Sequence, residues 1–226
     1  MLFGELVIPS TRALWDDEIA DLEEYEPANI QWESANVSVD SINTLYVADT
    51  PIVIKLFEKC ILTGLNPINA SKVAGVRVYK FNEDIVILYE HKMQFTSGEI
   101  IQHISQFIEK AKKIHGITSS SIALYQGDNA PLESMCFIRS LSTVNGPKAD
   151  IPKLPIPNLV TGITANLLSY CVHTNRDCQL FIGFMEQAPL DSINSEPFLS
   201  LFKKIGLEIK SCYNLILQAP SNNLYM

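Results

Sequence analysis

The last three residues of the chain, Leu224, Tyr225 and Met226, combine side chains that a pocket on another protein could capture. Leu224 is aliphatic, Tyr225 has an aromatic ring with a polar tip, and Met226 carries the terminal carboxylate. An aromatic ring buries a large apolar area while its hydroxyl hydrogen-bonds, and terminal carboxylates are recognised by backbone N–H groups or by cations. Because so short a motif recurs by chance, its weight depends on the rest of the chain.

The residues before this motif favour an extended, solvated backbone. Residues 218–223 contain proline and asparagine and show neither a helical nor an alternating apolar pattern. We therefore predict a flexible tail at residues 215–226, which would reach roughly 40 Å if fully extended. A terminus that is disordered and has no binding role is the alternative interpretation.

The sequence contains no catalytic motif. Its glycines are never closer than eleven positions apart, which excludes a G-x-G-x-x-G turn and a P-loop, and it has no G-x-S-x-G elbow. Cys171, His173 and Cys178 lack the C-x-x-C spacing of a metal site, so we interpret them as buried cysteines and a surface histidine. His103 follows Glu99 by one helical turn, as in ordinary helix-surface pairs. We predict a protein that is not an enzyme and that has no cofactor and no metal.

Composition indicates a single globular domain. The 226 residues are 47% hydrophobic, enough for one substantial core. The five cysteines are odd in number and lie in apolar surroundings, which favours reduced thiols and the cytoplasm. The first residues do not resemble a signal peptide, and no apolar run approaches the length of a bilayer span, so no membrane contact is expected.

The net charge of −8 is concentrated at the start of the chain. Residues 1–34 hold nine acids and one base, Arg12, whereas residues 35–226 hold sixteen of each sign. We predict that residues 11–34 form a solvated acidic excursion, or else an arm that binds a basic partner. Nucleic acid is not expected as a partner, because the acidic front would repel phosphate and the four arginines are scattered.

Apolar periodicity predicts interleaved strands and helices. Strands are predicted at residues 3–8, 42–48, 73–81, 85–90, 121–125, 135–141 and 178–185, and helices at 51–62, 97–114, 161–173 and 195–213. This order predicts an α/β fold, specifically a single-domain three-layer α-β-α sandwich around a mixed sheet, at residues 1–214. The tail at 215–226 would follow the last helix.

The sequence also indicates how two of the predicted helices end and which face of the last helix is buried. The helix from Ser97 is expected to stop at Gly116, which places three lysines, Lys110, Lys112 and Lys113, in its last turns, where they would interact with the helix dipole. His91 and His115 would then lie near the ends of elements. The last helix would bind the sheet through a stripe of apolar residues, namely Phe198, Phe202, Ile205, Ile209 and Cys212.

Four short segments together resemble the proteasome assembly chaperone 1 family. They are Phe3-Gly4-Glu5-Leu6-Val7, Pro157-Asn158-Leu159-Val160, Leu167-Leu168-Ser169-Tyr170-Cys171 and Leu224-Tyr225-Met226. The resemblance covers the first ten residues and roughly the last seventy, while residues 35–150 share only a similar order of elements.

The resemblance implies a non-enzymatic chaperone that promotes assembly of the 20S proteasome α-subunit ring in the cytoplasm and nucleus. It would act as a heterodimer with a second subunit similar to proteasome assembly chaperone 2. The tail, a hydrophobic-Tyr-X (HbYX) motif, would enter a pocket between neighbouring α subunits. Leu224 would fill an apolar recess, Tyr225 would stack and hydrogen-bond, and the Met226 carboxylate would pair with a lysine.

Two other hypotheses stay open on the sequence. Leu224-x-Met226 is also an apolar-x-apolar carboxyl terminus, which would suit strand addition to a PDZ-type domain. The order of elements would also suit a nucleoside-phosphorylase-like enzyme, which would need a polar pocket able to take phosphate.

Overall fold

The computed structural model describes residues 29–34, 41–92, 94–127, 136–143, 149–186, 190 and 192–210, and these build one sheet with helices on both faces. The seven strands lie in the order β2-β3-β4-β1-β5-β7-β6. Their bounds are β1 Ile42–Ala48, β2 Asn69–Ser71, β3 Val76–Phe81, β4 Asp84–Tyr89, β5 Ala111–Ser121, β6 Cys136–Ser142 and β7 Cys178–Met185.

The sheet is mixed, as predicted. Strand β1 is parallel to both β4 and β5, and β5 is parallel to β7. The pairs β2–β3, β3–β4 and β6–β7 are antiparallel. The four parallel strands give the sheet two distinct ends, which we call the amino end, where they begin, and the carboxyl end, where they finish.

Helices cover both faces, which confirms the three-layer sandwich. Helix α1 (Pro51–Leu56), with the π-helical turn Phe57–Ile61 that continues it, and helix α4 (Ser192–Lys204) pack on one face. Helices α2 (Ser97–Lys110) and α3 (Ile163–His173) pack on the other. Every residue of β7 is buried, because apolar side chains on both of its faces meet a helical layer.

The predicted helix that begins near residue 97 is shorter than its apolar pattern suggests. It ends at Lys110, Ala111 is already extended at ψ 135°, and β5 follows without a loop. Ile114 satisfies both a helical step and strand alternation, so the pattern alone could not separate the two. Gly116 lies inside β5 rather than at a helix end, and the strand predicted at 121–125 is wrong, since β5 stops at Ser121 and a short 3₁₀ turn follows.

The lysines near this junction therefore need a different explanation. Lys112 and Lys113 are exposed residues of β5, so only Lys110 lies in the last helical turn. The free carbonyls at the end of α2 are satisfied by Arg176, whose guanidinium donates to Ile108 O at 3.0 Å and also to Glu109 O. The prediction that these lysines interact with the helix dipole is therefore wrong for Lys112 and Lys113.

The last helix also ends earlier than predicted. Helix α4 spans Ser192–Lys204 rather than residues 195–213, and Gly206 follows it with φ +86°. Gly206 N donates to Lys203 O and Leu207 N donates to Phe202 O, which is the Schellman pattern of a glycine-terminated helix. Ile205 and Ile209 still pack against the core, but they do so beyond the helix end.

Several predictions lie outside the described residues. They are the strand at 3–8, most of the acidic excursion at 11–34, and the boundary between residues 214 and 215. No helix in the described part of the chain is long and apolar enough to cross a membrane.

Candidate functional site

The three predicted binding residues, Leu224, Tyr225 and Met226, lie outside the described residues. The last residue that the structure describes, Lys210, is held against the body. Lys210 N donates to Cys60 O at 2.8 Å, and Lys210 Nζ lies 5.4 Å from the centroid of the Phe81 ring. Phe81 is the last residue of β3, which runs antiparallel to β4, so Lys210 lies at the amino end of the sheet.

The segment before Lys210 is held on the body. Leu207 is buried, and the Tyr46 hydroxyl donates to Ile205 O at 3.0 Å. Burial, with a smaller contribution from Asp84, raises the pKa of Tyr46 to about 12, so this hydroxyl keeps its proton at neutral pH. Residues 205–210 are therefore attached to the core of the body.

A second candidate site lies at the carboxyl end. A cavity of about 300 Å³ is lined there by side chains that carry no charge, namely Thr118, Ser119, Ser120, Leu124, Gln126, Pro157, Asn158, Leu159, Val160, Thr161 and Ile182. Hydroxyl groups contributed by the end of β5 lie on one side, and the segment 157–161 lies on the other.

Three exposed apolar residues lie in or next to the segments that form this cavity: Leu124 and Leu159 line it, and Ile156 directly precedes Pro157, which also lines it. Leu124 is 68% exposed, Ile156 is 94% exposed and Leu159 is 89% exposed. We call these three residues the carboxyl-end patch. Apolar periodicity did not reveal this patch, because Ile156 and Leu159 stand as isolated apolar residues among prolines and Leu124 fell within the strand predicted at 121–125. The signal that could have found it was the segment Pro157-Asn158-Leu159-Val160, already singled out by the family resemblance.

A buried carboxylate stands beside this end of the sheet. Asp49 Oδ2 accepts hydrogen bonds from Thr164 N at 3.0 Å and from Thr164 Oγ1 at 2.9 Å. It thereby caps α3, whose own N-cap residue, Gly162, has no side chain. A Cβ at Gly162 would lie 2.9 Å from Asp49 Oδ2, and the φ of +94° there also favours glycine. Burial raises the pKa of Asp49. Its two hydrogen bonds to Thr164 hold the first turn of α3 in place.

Replacing Asp49 with alanine is expected to destabilise the fold by about 1–2 kcal/mol, because the first turn of α3 loses its acceptor. Asp49→Asn keeps an oxygen acceptor without a buried charge and is expected to cost less than half as much. Urea unfolding of the two variants measures the difference. Equal losses would contradict the capping role.

Two of the histidines, His103 and His115, occupy other environments than predicted, whereas His91 lies near the end of β4, as predicted. His103 stacks on Trp32 with ring centroids 4.0 Å apart, and burial lowers its pKa to about 4. The Glu99 carboxylate accepts from Thr96 N at 2.7 Å, so Glu99 belongs to the cap of α2. His115 is not at an element end: it is buried in β5, 5.6 Å from the ring centroids of both Tyr46 and Phe181.

Acid is expected to destabilise the protein through His115. Burial, followed by the charge of Lys113, lowers the pKa of His115 from 6.5 to about 4 in the folded state. The unfolded chain therefore binds the proton first, and stability falls by about 3 kcal/mol as pH drops from 6.5 through 4. The raised pKa of Asp49 acts in the opposite direction, since a folded state that protonates more readily gains stability in acid.

The variant His115→Phe isolates this effect, because it keeps a buried ring and removes the titrating group. Unfolding free energies of the native chain and of the variant, measured between pH 7.5 and 4, should diverge as pH falls. Parallel curves would contradict the assignment to His115.

The interpretation of the cysteines is confirmed where the structure describes them. Cys171 and Cys178 are buried, and His173 is exposed. A hydrogen bond between the two thiols, with burial, raises the pKa of Cys178, which makes it a poor nucleophile. Among the described residues, no group of three or more His, Cys, Asp or Glu could hold a metal ion.

Comparison with known proteins identifies the fold. No protein-family model matches the chain, and no curated protein matches it by sequence. A Pyrococcus furiosus protein, PbaA, described as an archaeal homologue of proteasome-assembly chaperone, is 13% identical and has a TM-score of 0.55, over 82% of this chain and 89% of its own. A Thermoplasma acidophilum protein of unknown function is 15% identical with a TM-score of 0.54, over 76% and 79% of the two chains. A Mycobacterium tuberculosis protein of unknown function is 11% identical with a TM-score of 0.50, over 84% and 79%. The chain is thus similar in fold to PbaA.

Proposed function

We propose that this chain is a non-enzymatic chaperone that promotes assembly of the proteasome core particle by binding its α subunits. The observation that carries the proposal is the fold it shares with PbaA over 82% of its length. The four sequence segments that resemble proteasome assembly chaperone 1 also support it.

The tail is the proposed binding element. The predicted tail, residues 215–226, would have a maximum reach of roughly 40 Å. Leu224 would fill an apolar recess between neighbouring α subunits, Tyr225 would stack and hydrogen-bond, and the Met226 carboxylate would pair with a lysine. An occupied pocket would exclude other regulators that use the same kind of tail.

A second chaperone subunit strengthens this binding. A plug of three residues binds weakly on its own, since ordering the tether offsets part of the contact energy. Two tails from a heterodimer, working with a docked body surface, would raise the overall affinity through effective concentration. We propose that the second subunit has a similar fold, as in proteasome assembly chaperone 2, and that the pair acts in the cytoplasm and nucleus.

The carboxyl-end cavity argues against the enzyme alternative. A nucleoside-phosphorylase-like site that held phosphate through charged side chains would need lysine, arginine or histidine. The described residues that line the cavity include no lysine, arginine or histidine. The chaperone function is therefore the better account of this chain.

Appending one alanine after Met226 tests the proposal. The extra residue displaces the terminal carboxylate while leaving every side chain in place, and we expect at least a tenfold loss of affinity for purified α-subunit rings, about the effect of losing one charge-assisted contact. The matched control inserts the alanine between Pro220 and Ser221, which lengthens the tether equally and keeps the terminal tripeptide. Equal binding by the native and the extended chain would refute tail insertion.

A further inference from the structure

We propose that the cavity at the carboxyl end of the sheet binds a small, uncharged, polyhydroxylated molecule, such as a monosaccharide. This ligand site goes beyond the proposed chaperone function, because it lies on the body of the chain and does not depend on the tail. Its position in the sheet, the chemistry of its lining and its lack of charged side chains each favour such a ligand.

The cavity lies where the topology of the sheet opens a crevice. Strands β1 and β5 are parallel neighbours, and Ala48 at the end of β1 pairs with Ile117 of β5. Helix α1, which follows β1, packs on one face of the sheet, whereas α3, the next helix after β5, packs on the other. Open α/β sheets bind ligands outside the carboxyl ends of two strands whose connections diverge in this way. Ser119 lines the cavity and donates to Thr50 Oγ1 at 3.0 Å, so the cavity lies beside the ends of both strands.

The floor of the cavity places hydroxyl groups beside apolar side chains. Thr118 of β5 pairs with Ile182 of β7, so the two side chains share one face of the sheet, and Ser120 follows on the same face two positions later. Leu159 and Val160 add apolar contacts from the segment before α3. A sugar ring has hydroxyl groups around its edge and C–H groups on its faces, so it matches both kinds of side chain.

Two hydroxyl groups of the lining are available to a ligand. The side chains of Ser120 and Thr161 make no hydrogen bond to another residue in the described part of the chain. The Asn158 amide, by contrast, is occupied, because it accepts from Gln126 N and donates to Pro155 O, each at 2.8 Å. Each free hydroxyl group donates one hydrogen bond and accepts others, so a ligand that also carries hydroxyl groups satisfies both capacities.

Charge disfavours ionic ligands. None of the described lining residues is charged, so a phosphate or carboxylate would find no cation there, and an ammonium group would lose water without gaining a counter-ion. The nearby Asp49 carboxylate does not line the cavity and is bonded to Thr164 in the first turn of α3. An uncharged ligand avoids these costs.

The cavity has the size and the rigidity of a small-molecule site. Its volume of about 300 Å³ lies at the lower end of the range for such sites, which suits a single ring rather than a large cofactor. The Asn158 bonds join the two segments that form one side, and behind them the Tyr125 ring packs against Phe137 and Phe184, with centroids 4.9 and 5.0 Å apart. A preformed site of this kind loses little conformational entropy on binding.

The test titrates the purified full chain with neutral probes, namely D-ribose, D-glucose, D-galactose and myo-inositol, by calorimetry and by NMR. We expect at least one of them to bind saturably with a dissociation constant of about 1 mM, as suits a ligand with few atoms. The monophosphate ester of that probe should bind at least tenfold more weakly, because the lining offers no cation.

Two doubly substituted chains locate the binding. Ser120→Ala with Thr161→Val removes the two available hydroxyl groups and nearly preserves the shape of the cavity, and we expect about tenfold weaker binding. The matched control, Ser169→Ala with Thr174→Val, removes two exposed hydroxyl groups of α3 and its C-cap that do not line the cavity, and it should bind within about twofold of the native chain. Thr161→Val alone changes one exposed side chain and should weaken binding about threefold with a native thermal midpoint.

Three results would overturn the proposal. They are the absence of saturable binding by every neutral probe, tighter binding of a monophosphate than of its parent sugar, and an equal loss of binding in the cavity variant and the control variant. The assay uses the chain alone, so these results leave tail binding to α-subunit rings untouched, and a chain that fails to bind those rings could still bind the sugar.

Discussion

Replacing Tyr225 with alanine is expected to abolish association with proteasome α-subunit rings while leaving the body folded. Tyr225 would supply the largest apolar contact of the tail and its one side-chain hydrogen bond, so truncation would leave Leu224 and the carboxylate to offset the ordering of the tether. Co-sedimentation of the purified chain with α-subunit rings measures the loss. Tyr225→Phe, which keeps the ring, should retain part of the binding.

The same substitution separates the chaperone from the PDZ-ligand hypothesis. In a strand added to a PDZ groove, Leu224 and Met226 would face the domain and Tyr225 would point away from it, so Tyr225→Ala would spare that binding. Asn223→Ala is the control for a neutral change in the tether. If the Tyr225→Ala chain still binds α-subunit rings, the proposed tail mechanism is wrong.

Replacing Gly183 with alanine is expected to destabilise the fold by about 3 kcal/mol or more, the upper range for overpacking a buried site. A Cβ at Gly183 would overlap the ring of Phe198, with two ring atoms at 2.7 and 2.8 Å and a third closer still. Gly183 lies in β7, and Phe198 of α4 is fully buried over it, so neither element can move without opening the core. Thermal and urea unfolding measure the loss.

Gly98→Ala is the matched control. A Cβ there would meet only Thr96 Oγ1, at 3.9 Å, and alanine is the better helix former in α2. In the Gly183→Ala background, Phe198→Leu should restore part of the stability, because the smaller side chain makes room for the methyl group. If Gly183→Ala unfolds at the native midpoint, the close packing of α4 on β7 is contradicted.

The strands are predicted most accurately where the pattern of apolar residues fits a strand and does not also fit a helix. Strands β1 and β7 have the predicted bounds. Both are mostly apolar segments bounded by polar residues, a pattern that fits a strand covered on both faces. Strand β2 was missed, since three residues are too few to show a period. The end of α2 was predicted wrongly, because Ile114 fits both the helical and the strand pattern and no glycine or proline marks the change from helix to strand after Lys110.

The candidate sites depend on contacts that no local pattern encodes. The carboxyl-end patch forms because Asn158 bonds to the backbone of Gln126, thirty-two positions earlier in the chain. Histidine is a polar residue type, yet His115 is buried between the rings of Tyr46 and Phe181, which a local sequence pattern does not predict. Leu224, Tyr225 and Met226 were singled out from their types alone, and their binding role is still a prediction.

The contacts that attach residues 205–210 to the core, just beyond helix α4, have a mechanical consequence when another molecule binds the terminus. Tension applied beyond Lys210 would first load its hydrogen bond to Cys60 O and then the contact of Tyr46 with Ile205 O, each of which joins the chain directly to the core. The helix would not unwind from its last turn, because these contacts lie between it and the pull. A pull transmitted to Lys210 would therefore act on the whole body before it reached helix α4.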